Sequence, residues 1–289
     1  MGAVAAGHER GGPDPAVVAR LPAQPRRRDR HPLRSVILTV VTVCERPPAA
    51  SYGEAPNAPN GACQLRYASG RLSGCSVVPC LRAAGQGAHP LTLSGLADRR
   101  GVPAGQQTHV QDIVDEVEGQ DLLDVVLVGH SYSGIPVGQA AERIGDRLAH
   151  VIFVDSSVPA DGEAFVSAWP DGGATVKASI AENGGFWPLV PAAHYDGQGL
   201  TDEQIARIVG GATPHPGATL TEPAVLARPL DELPATYIHC LLAGAELSDD
   251  VTKLLTSKHW RLVEMDTGHW PMFSQPRELA QIFLEAAGE

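Results

Sequence analysis

The chain has 289 residues, 43% of them hydrophobic, which is ample for one packed core. Its formal charge of −11 argues against nucleic acid and against an anionic membrane surface as partners. Five cysteines, an odd number with neither a Cys-x-x-Cys pair nor a Cys/His metal spacing, read as reduced thiols; no metal or cofactor is expected, and the protein is expected to be cytoplasmic.

Residues 1–60 are crowded with Pro, Gly, Ala and Arg, including Arg26-Arg27-Arg28-Asp29-Arg30, and show no sustained period, so they are expected to form a low-order segment. The run Ser35 to Val43 interrupts them. It is short, threonine-rich and far from the first residue, unlike a signal-peptide core, and no segment approaches the roughly 20 apolar residues of a membrane span. The globular domain is expected over residues 61–289.

Within it, Leu65 to Ala68 is a weak strand leading to Ser69-Gly70, and Val77 to Gly85 reads as a helix with a C-terminal glycine. His89 to Leu93 reads as a strand running into a loop, Ser94 to Arg99. Thr108 is a candidate N-cap for a helix whose Val110, Ile113, Val114 and Val117 share one face.

Val125 to Val128 is a short, β-branched apolar run, the mark of a strand buried on both faces. It ends at Gly129, and helical spacing begins by Gly134, so the chain reverses within about five residues, with Ser131 at the apex. Positions flanking such an apex have room for little beyond hydrogen, and Gly129 and Ser133 fill them. The geometry lifts the Ser131 hydroxyl clear of the sheet and aims the Tyr132 N–H at an oxyanion formed there.

Val151 to Val154 forms the next strand and ends at Asp155. From about Val158 to Leu230 the period gives way to Pro, Gly and short helical pieces, Asp202 to Val209 and Pro223 to Ala227 among them. This stretch carries Phe165, Trp169, Phe186, Trp187 and Tyr195, enough to wall a pocket for an apolar or aromatic molecule. His194 and His215 read as structural or exposed. Thr236 to Leu242 and Leu262 to Met265 are further strands, and a final helix is expected from about Pro276 to Ala287. The loop before that helix carries His269, where a general base for Ser131 would lie.

Gly-His-Ser-Tyr-Ser-Gly from Gly129, Val-Asp-Ser-Ser-Val-Pro-Ala-Asp-Gly-Glu from Val154 and Thr-Gly-His-Trp-Pro-Met-Phe from Thr267 together resemble the α/β-hydrolase superfamily, in its esterase-type branch near plant methylesterases and hydroxynitrile lyases. The resemblance covers Gly74 to the C-terminus. It implies an α/β fold, a mostly parallel sheet flanked by helices, with residues 158–230 as a cap inserted after the strand that follows the elbow helix. It also implies a second oxyanion N–H from the weakly matching 61–87 region. The triad acid of the nearest relatives falls on Ala243, which cannot serve; Asp155 and Glu246 are the substitutes, Asp155 preferred for its rigid strand tip, with Asp266 a weaker third.

The reading is a serine hydrolase for an ester or lactone of a small molecule, with Ser131, His269 and Asp155 as catalytic residues and Tyr132 at the oxyanion. A degenerate hydrolase that binds a small ligand, or a lyase or perhydrolase on the same triad, is the alternative. The sequence leaves the oligomeric state open.

Overall fold

The alternation of short β-branched runs with helical periods builds a doubly covered parallel sheet. A computed structural model describes residues 36–40, 77–244 and 246–288. Their elements, in order, are β1 (Val36–Val40), α1 (Val77–Ala83), β2 (Gly87–Leu91), α2 (Gln106–Gly119), β3 (Val125–His130), α3 (Gly134–Ile144) and β4 (Leu148–Val154). An insertion then carries α4 (Ala174–Glu182), β5 (Phe186–Trp187), α5 (Asp202–Gly211), β6 (His215–Pro216) and α6 (Gly217–Thr221). The chain closes with β7 (Ala235–Cys240), α7 (Asp249–Leu254), β8 (Trp260–Met265), α8 (Pro271–Ser274) and α9 (Pro276–Gly288).

The main sheet has six strands in the order β2-β1-β3-β4-β7-β8, and every neighbouring pair is parallel. β5 and β6 form a separate antiparallel pair in the insertion. Period two divides the core cleanly. Val125 and Leu127 of β3 and Val151 and Phe153 of β4 pack on one face with α2 and α3, where Phe153 stacks on Trp260 at 5.2 Å between ring centroids. Val126, Val128, Ile152 and Val154 pack on the other with α1 and α9. All six residues of β3 are buried, as its unbroken apolar character requires.

Three expectations are corrected. The domain does not begin at residue 61: Val36–Val40 lies between β2 and β3, with Val40 opposite Gly129. Val-Ile-Leu-Thr-Val has the β-branched content of a buried strand, but its Pro- and Arg-rich surroundings hide it from any test of periodicity. Thr108 is not the N-cap; α2 starts two residues earlier behind Gly105, and the Thr108 hydroxyl accepts a hydrogen bond from the Gly105 N–H at 3.1 Å. Residues Pro223 to Ala227 are not helical, the turn of helix lying instead at Gly217–Thr221. The weak strand at Leu65 to Ala68, and the rest of the 1–60 segment, lie outside the described residues.

Because β1 carries backbone hydrogen bonds on both of its edges, a chain starting at residue 34 and one starting at residue 61 are expected to behave differently. The shorter chain leaves the facing edges of β2 and β3 unpaired and should melt about 10 °C or more below the longer one, or fail to fold. Thermal unfolding followed by circular dichroism measures the difference.

Candidate active site

Ser131 sits where β3 turns into a short 3-10 segment, Ser131–Ser133, that leads into α3, and its φ is +55°. That left-handed conformation costs a non-glycine residue about 1–3 kcal/mol and is held by its surroundings. The Ser131 carbonyl accepts a hydrogen bond from the Ser157 N–H at 3.2 Å and shares the Ser156 hydroxyl, 2.9 Å away, with the Ser157 carbonyl, and these contacts clamp the apex to the chain leaving β4.

The turn needs glycine at two places. A Cβ on Gly129 would stand 2.8 Å from the Gly134 Cα, and one on Gly134 would run into the Ser156 hydroxyl and the Ser157 carbonyl. Gly134 is thus the position that forbids a side chain on the helical side, and the emphasis the sequence places on Ser133 is corrected; Ser133 is buried and tolerated as serine.

Asp155 follows β4 directly, also at positive φ, +42°. Its N–H donates to the Ile238 carbonyl at 2.7 Å, which ties it to the tip of β7. One carboxylate oxygen accepts from the Cys240 N–H at 3.3 Å, and the other lies 2.5 Å from Nδ1 of His269. Burial works against the charged carboxyl, but the hydrogen bond and charge of His269, aided by the Cys240 N–H, outweigh it and hold the Asp155 pKa below its ordinary value. A carboxylate only accepts, so the hydrogen of this contact is on Nδ1 of His269, and in the neutral ring Nε2 is then the free acceptor. Glu246 and Asp266 are both exposed, and Ala243 lies in the turn after β7.

The His269 loop is held from two sides. The His269 N–H donates to the Gln198 side chain at 3.1 Å, and the His130 ring, 4.6 Å away between centroids, donates from Nε2 to the His269 carbonyl at 2.6 Å. Burial first, and the nearby His269 second, push the His130 pKa down to about 3, so it remains a neutral donor. Sequence reasoning missed both partners. His130 stands inside the elbow motif and could have been noticed there; Gln198 belongs to the aperiodic insertion and carried no signal.

Ser131 and His269 line one cavity of about 450 Å³. Phe165, Trp169, Trp187 and Tyr195 of the insertion wall it as expected, joined by Trp270; Phe186 does not line it and is largely exposed. Tyr132 is buried, with its ring edge-on to Phe165. His215 is buried and hydrogen-bonded to Thr219, His194 is exposed, and both line this same cavity. Among the described residues no group of three or more His, Cys, Asp or Glu side chains could hold a metal ion, and no helix is long and apolar enough to cross a membrane.

Comparison with known proteins agrees with this architecture. A probable hydrolase from Phoma sp. is 29% identical over 229 residues, 74% of this chain and 91% of its own. A carbendazim hydrolyzing esterase from Nocardioides sp. is 26% identical over 217 residues, 70% of this chain and 88% of its own. An extracellular alpha/beta-hydrolase from a Paenibacillus species, described as sharing structural and functional homology with tobacco salicylic acid binding protein 2, superposes with a TM-score of 0.67 at 16% identity, covering 87% of this chain and 98% of its own. A methylesterase from Arabidopsis gives 0.56 at 19%, covering 88% and 99%. The family model described as the alpha/beta hydrolase family matches residues 60–282, and this chain belongs to that family.

Proposed function

We propose that the chain is a serine hydrolase that cleaves an ester or lactone of a small apolar or aromatic molecule through an acyl-enzyme. The observation that carries the reading is the 2.5 Å bond between Asp155 and Nδ1 of His269, made at the cavity that Ser131 also lines. In this reading the bare Nε2 of His269 takes the proton of the Ser131 hydroxyl as its oxygen attacks the substrate carbonyl. Asp155 keeps the imidazole in that tautomer and stabilises the imidazolium that forms. The Tyr132 N–H, first beyond the apex, meets the oxyanion of the tetrahedral intermediate. His269 then returns the proton to the leaving alcohol, and the same base activates water to release the acyl group.

The substrate class rests on the cavity. About 450 Å³ walled by four insertion aromatics suits a small, flat or apolar molecule. The relationship to an esterase at 26% identity supports an ester as the bond cleaved. Of the two grounds for a silent ligand binder, Ala243 weighs less once the half-buried Asp155 carboxylate meets His269, while the poorly matching oxyanion strand lies outside the described residues.

A fluorophosphonate probe is expected to label Ser131 and to leave Ser131→Ala unlabelled, with loss of p-nitrophenyl butyrate turnover in that variant; mass spectrometry of the adduct identifies the serine, and labelling elsewhere removes the assignment. Asp155→Asn should lower kcat by about three to four powers of ten, because the amide fixes the wrong tautomer, while Glu246→Gln should stay within about twofold of the unaltered chain.

The Asp155 carboxyl is also held below its ordinary 3.8 in the folded chain, so its bond stabilises fully above that value and the contribution fades as pH falls toward the lower folded value. The stability gap between the natural chain and Asp155→Asn should therefore be constant above about pH 5 and shrink in more acidic solution. Urea unfolding at a series of pH values reads it; a gap that widens with acid contradicts the assignment.

A further inference from the structure

Behind the elbow lies a buried cluster whose ring hydrogens are constrained by the groups around it. Nε2 of His109 lies 2.8 Å from the Ser94 carbonyl, which only accepts, so His109 is protonated there and its Nδ1 is bare. The Tyr132 hydroxyl, 3.0 Å from that Nδ1, must donate to it. The Thr219 hydroxyl has one hydrogen, and two of its neighbours can only accept it: the Pro216 carbonyl at 2.7 Å and the Tyr132 oxygen, whose own hydrogen is already given to His109. Its third neighbour is Nε2 of His215 at 2.8 Å, and the arrangement that pairs the most groups has that nitrogen donate to Thr219, which leaves the hydroxyl hydrogen for the acceptor-only neighbours.

The tautomer of His215 follows. Its hydrogen is on Nε2 and turned into the cluster, and what the ring can offer the cavity it lines is the lone pair of Nδ1. Burial, with His109 adding to it, drives the His215 pKa down to about 3, so Nδ1 takes up no second proton at neutral pH. The same cavity wall is otherwise aromatic: the Tyr132 and His215 rings meet edge-on with centroids 4.8 Å apart, and Phe165 and Trp169 continue the wall.

We infer that Nδ1 of His215 is a fixed hydrogen-bond acceptor in the substrate cavity, and that the preferred substrates are esters of flat aromatic molecules carrying an N–H or O–H donor on the ring system. The inference rests on the proposed hydrolase reading and narrows it. A ligand with a donor pairs the lone pair; an isostere without one strands an acceptor in an apolar pocket, which is how buried polar groups reject analogues. His215 is then a specificity residue that touches neither the Ser131 nucleophile nor the His269 base.

The test is calorimetric titration of the Ser131→Ala chain with methyl indole-3-carboxylate and with methyl benzofuran-3-carboxylate, which share a shape and differ in N–H against ring oxygen. The indole ester is expected to bind at least about tenfold more tightly, and the preference should fall to within about twofold when His215→Phe is added. Equal affinities in the chain that keeps His215 overturn the inference. Should the phenylalanine variant not fold, ¹⁵N shifts of His215 in the unaltered chain decide: a protonated Nε2 with a bare Nδ1 that shifts on adding the indole ester supports it, and a protonated Nδ1 or no response overturns it. Turnover of the indole ester by the chain with Ser131 intact tests the hydrolase reading separately. Tight, selective binding without turnover keeps the acceptor and removes the hydrolase.

Discussion

The structure of the site depends on one clamp, the contacts that the Ser131 carbonyl makes with the Ser156 hydroxyl and the Ser157 N–H. They hold the apex of the elbow against the chain leaving β4 and so maintain the left-handed backbone at Ser131, which local sterics oppose. The same closeness explains the glycines. Gly134 faces Ser156 and Ser157 with no room for a Cβ, and Gly129 faces Gly134. A side chain at either place would have to part the elbow from β4, and with it the serine from the carboxylate one residue before the clamp.

That clamp also separates what the sequence discloses from what it conceals. The strand, the serine apex and the late histidine were legible because each is a local pattern: four β-branched or leucine residues from Val125, a glycine and a small residue around a turn, and a histidine before a terminal helix. Asp155 was legible as a candidate because strand tips are rigid, although its partner lies 114 residues away and only the folded chain brings the two together. Residues of the insertion were not legible in this way. Gln198 holds the His269 N–H and His215 lines the cavity, yet neither lies in a periodic segment, and contacts made between non-local loops leave no spacing to read. β1 was lost for a different reason: five residues are too few for a period, and the Pro- and Arg-rich sequence around them carries no pattern that would single them out.

The buried polar residues beside Tyr132 illustrate how a fold can fix proton positions without charge. Ser94 and Pro216 contribute carbonyls, which never donate, and the hydrogens of His109, Tyr132, Thr219 and His215 are ordered outward from those two fixed points. Each ring is neutral because burial disfavours the imidazolium, with both His109 and His215 pushed down to about 4 and about 3 respectively. The linked hydrogen bonds join the start of α2 to the insertion directly behind the elbow. The cavity wall there is consequently specified in its hydrogen-bonding sense as well as in its shape.

The contacts of Asp155 bring a carboxylate from one strand tip to the end of the next. β4 and β7 are adjacent and in parallel register, with Val154 opposite Ile238, so their C-terminal tips emerge side by side. Asp155 donates its N–H to Ile238 and accepts the Cys240 N–H on its side chain, so a carboxylate rooted on β4 reaches across to the end of β7. A histidine held over that junction by His130 and Gln198 can be met from either tip. In the proposed hydrolase Asp155 takes the acid's part, so alanine at position 243 removes nothing the mechanism uses, and a carboxylate placed within reach of the same imidazole would raise the pKa of one of the two acids by like-charge repulsion. The two tips are alternatives because their charges would compete for one ring nitrogen.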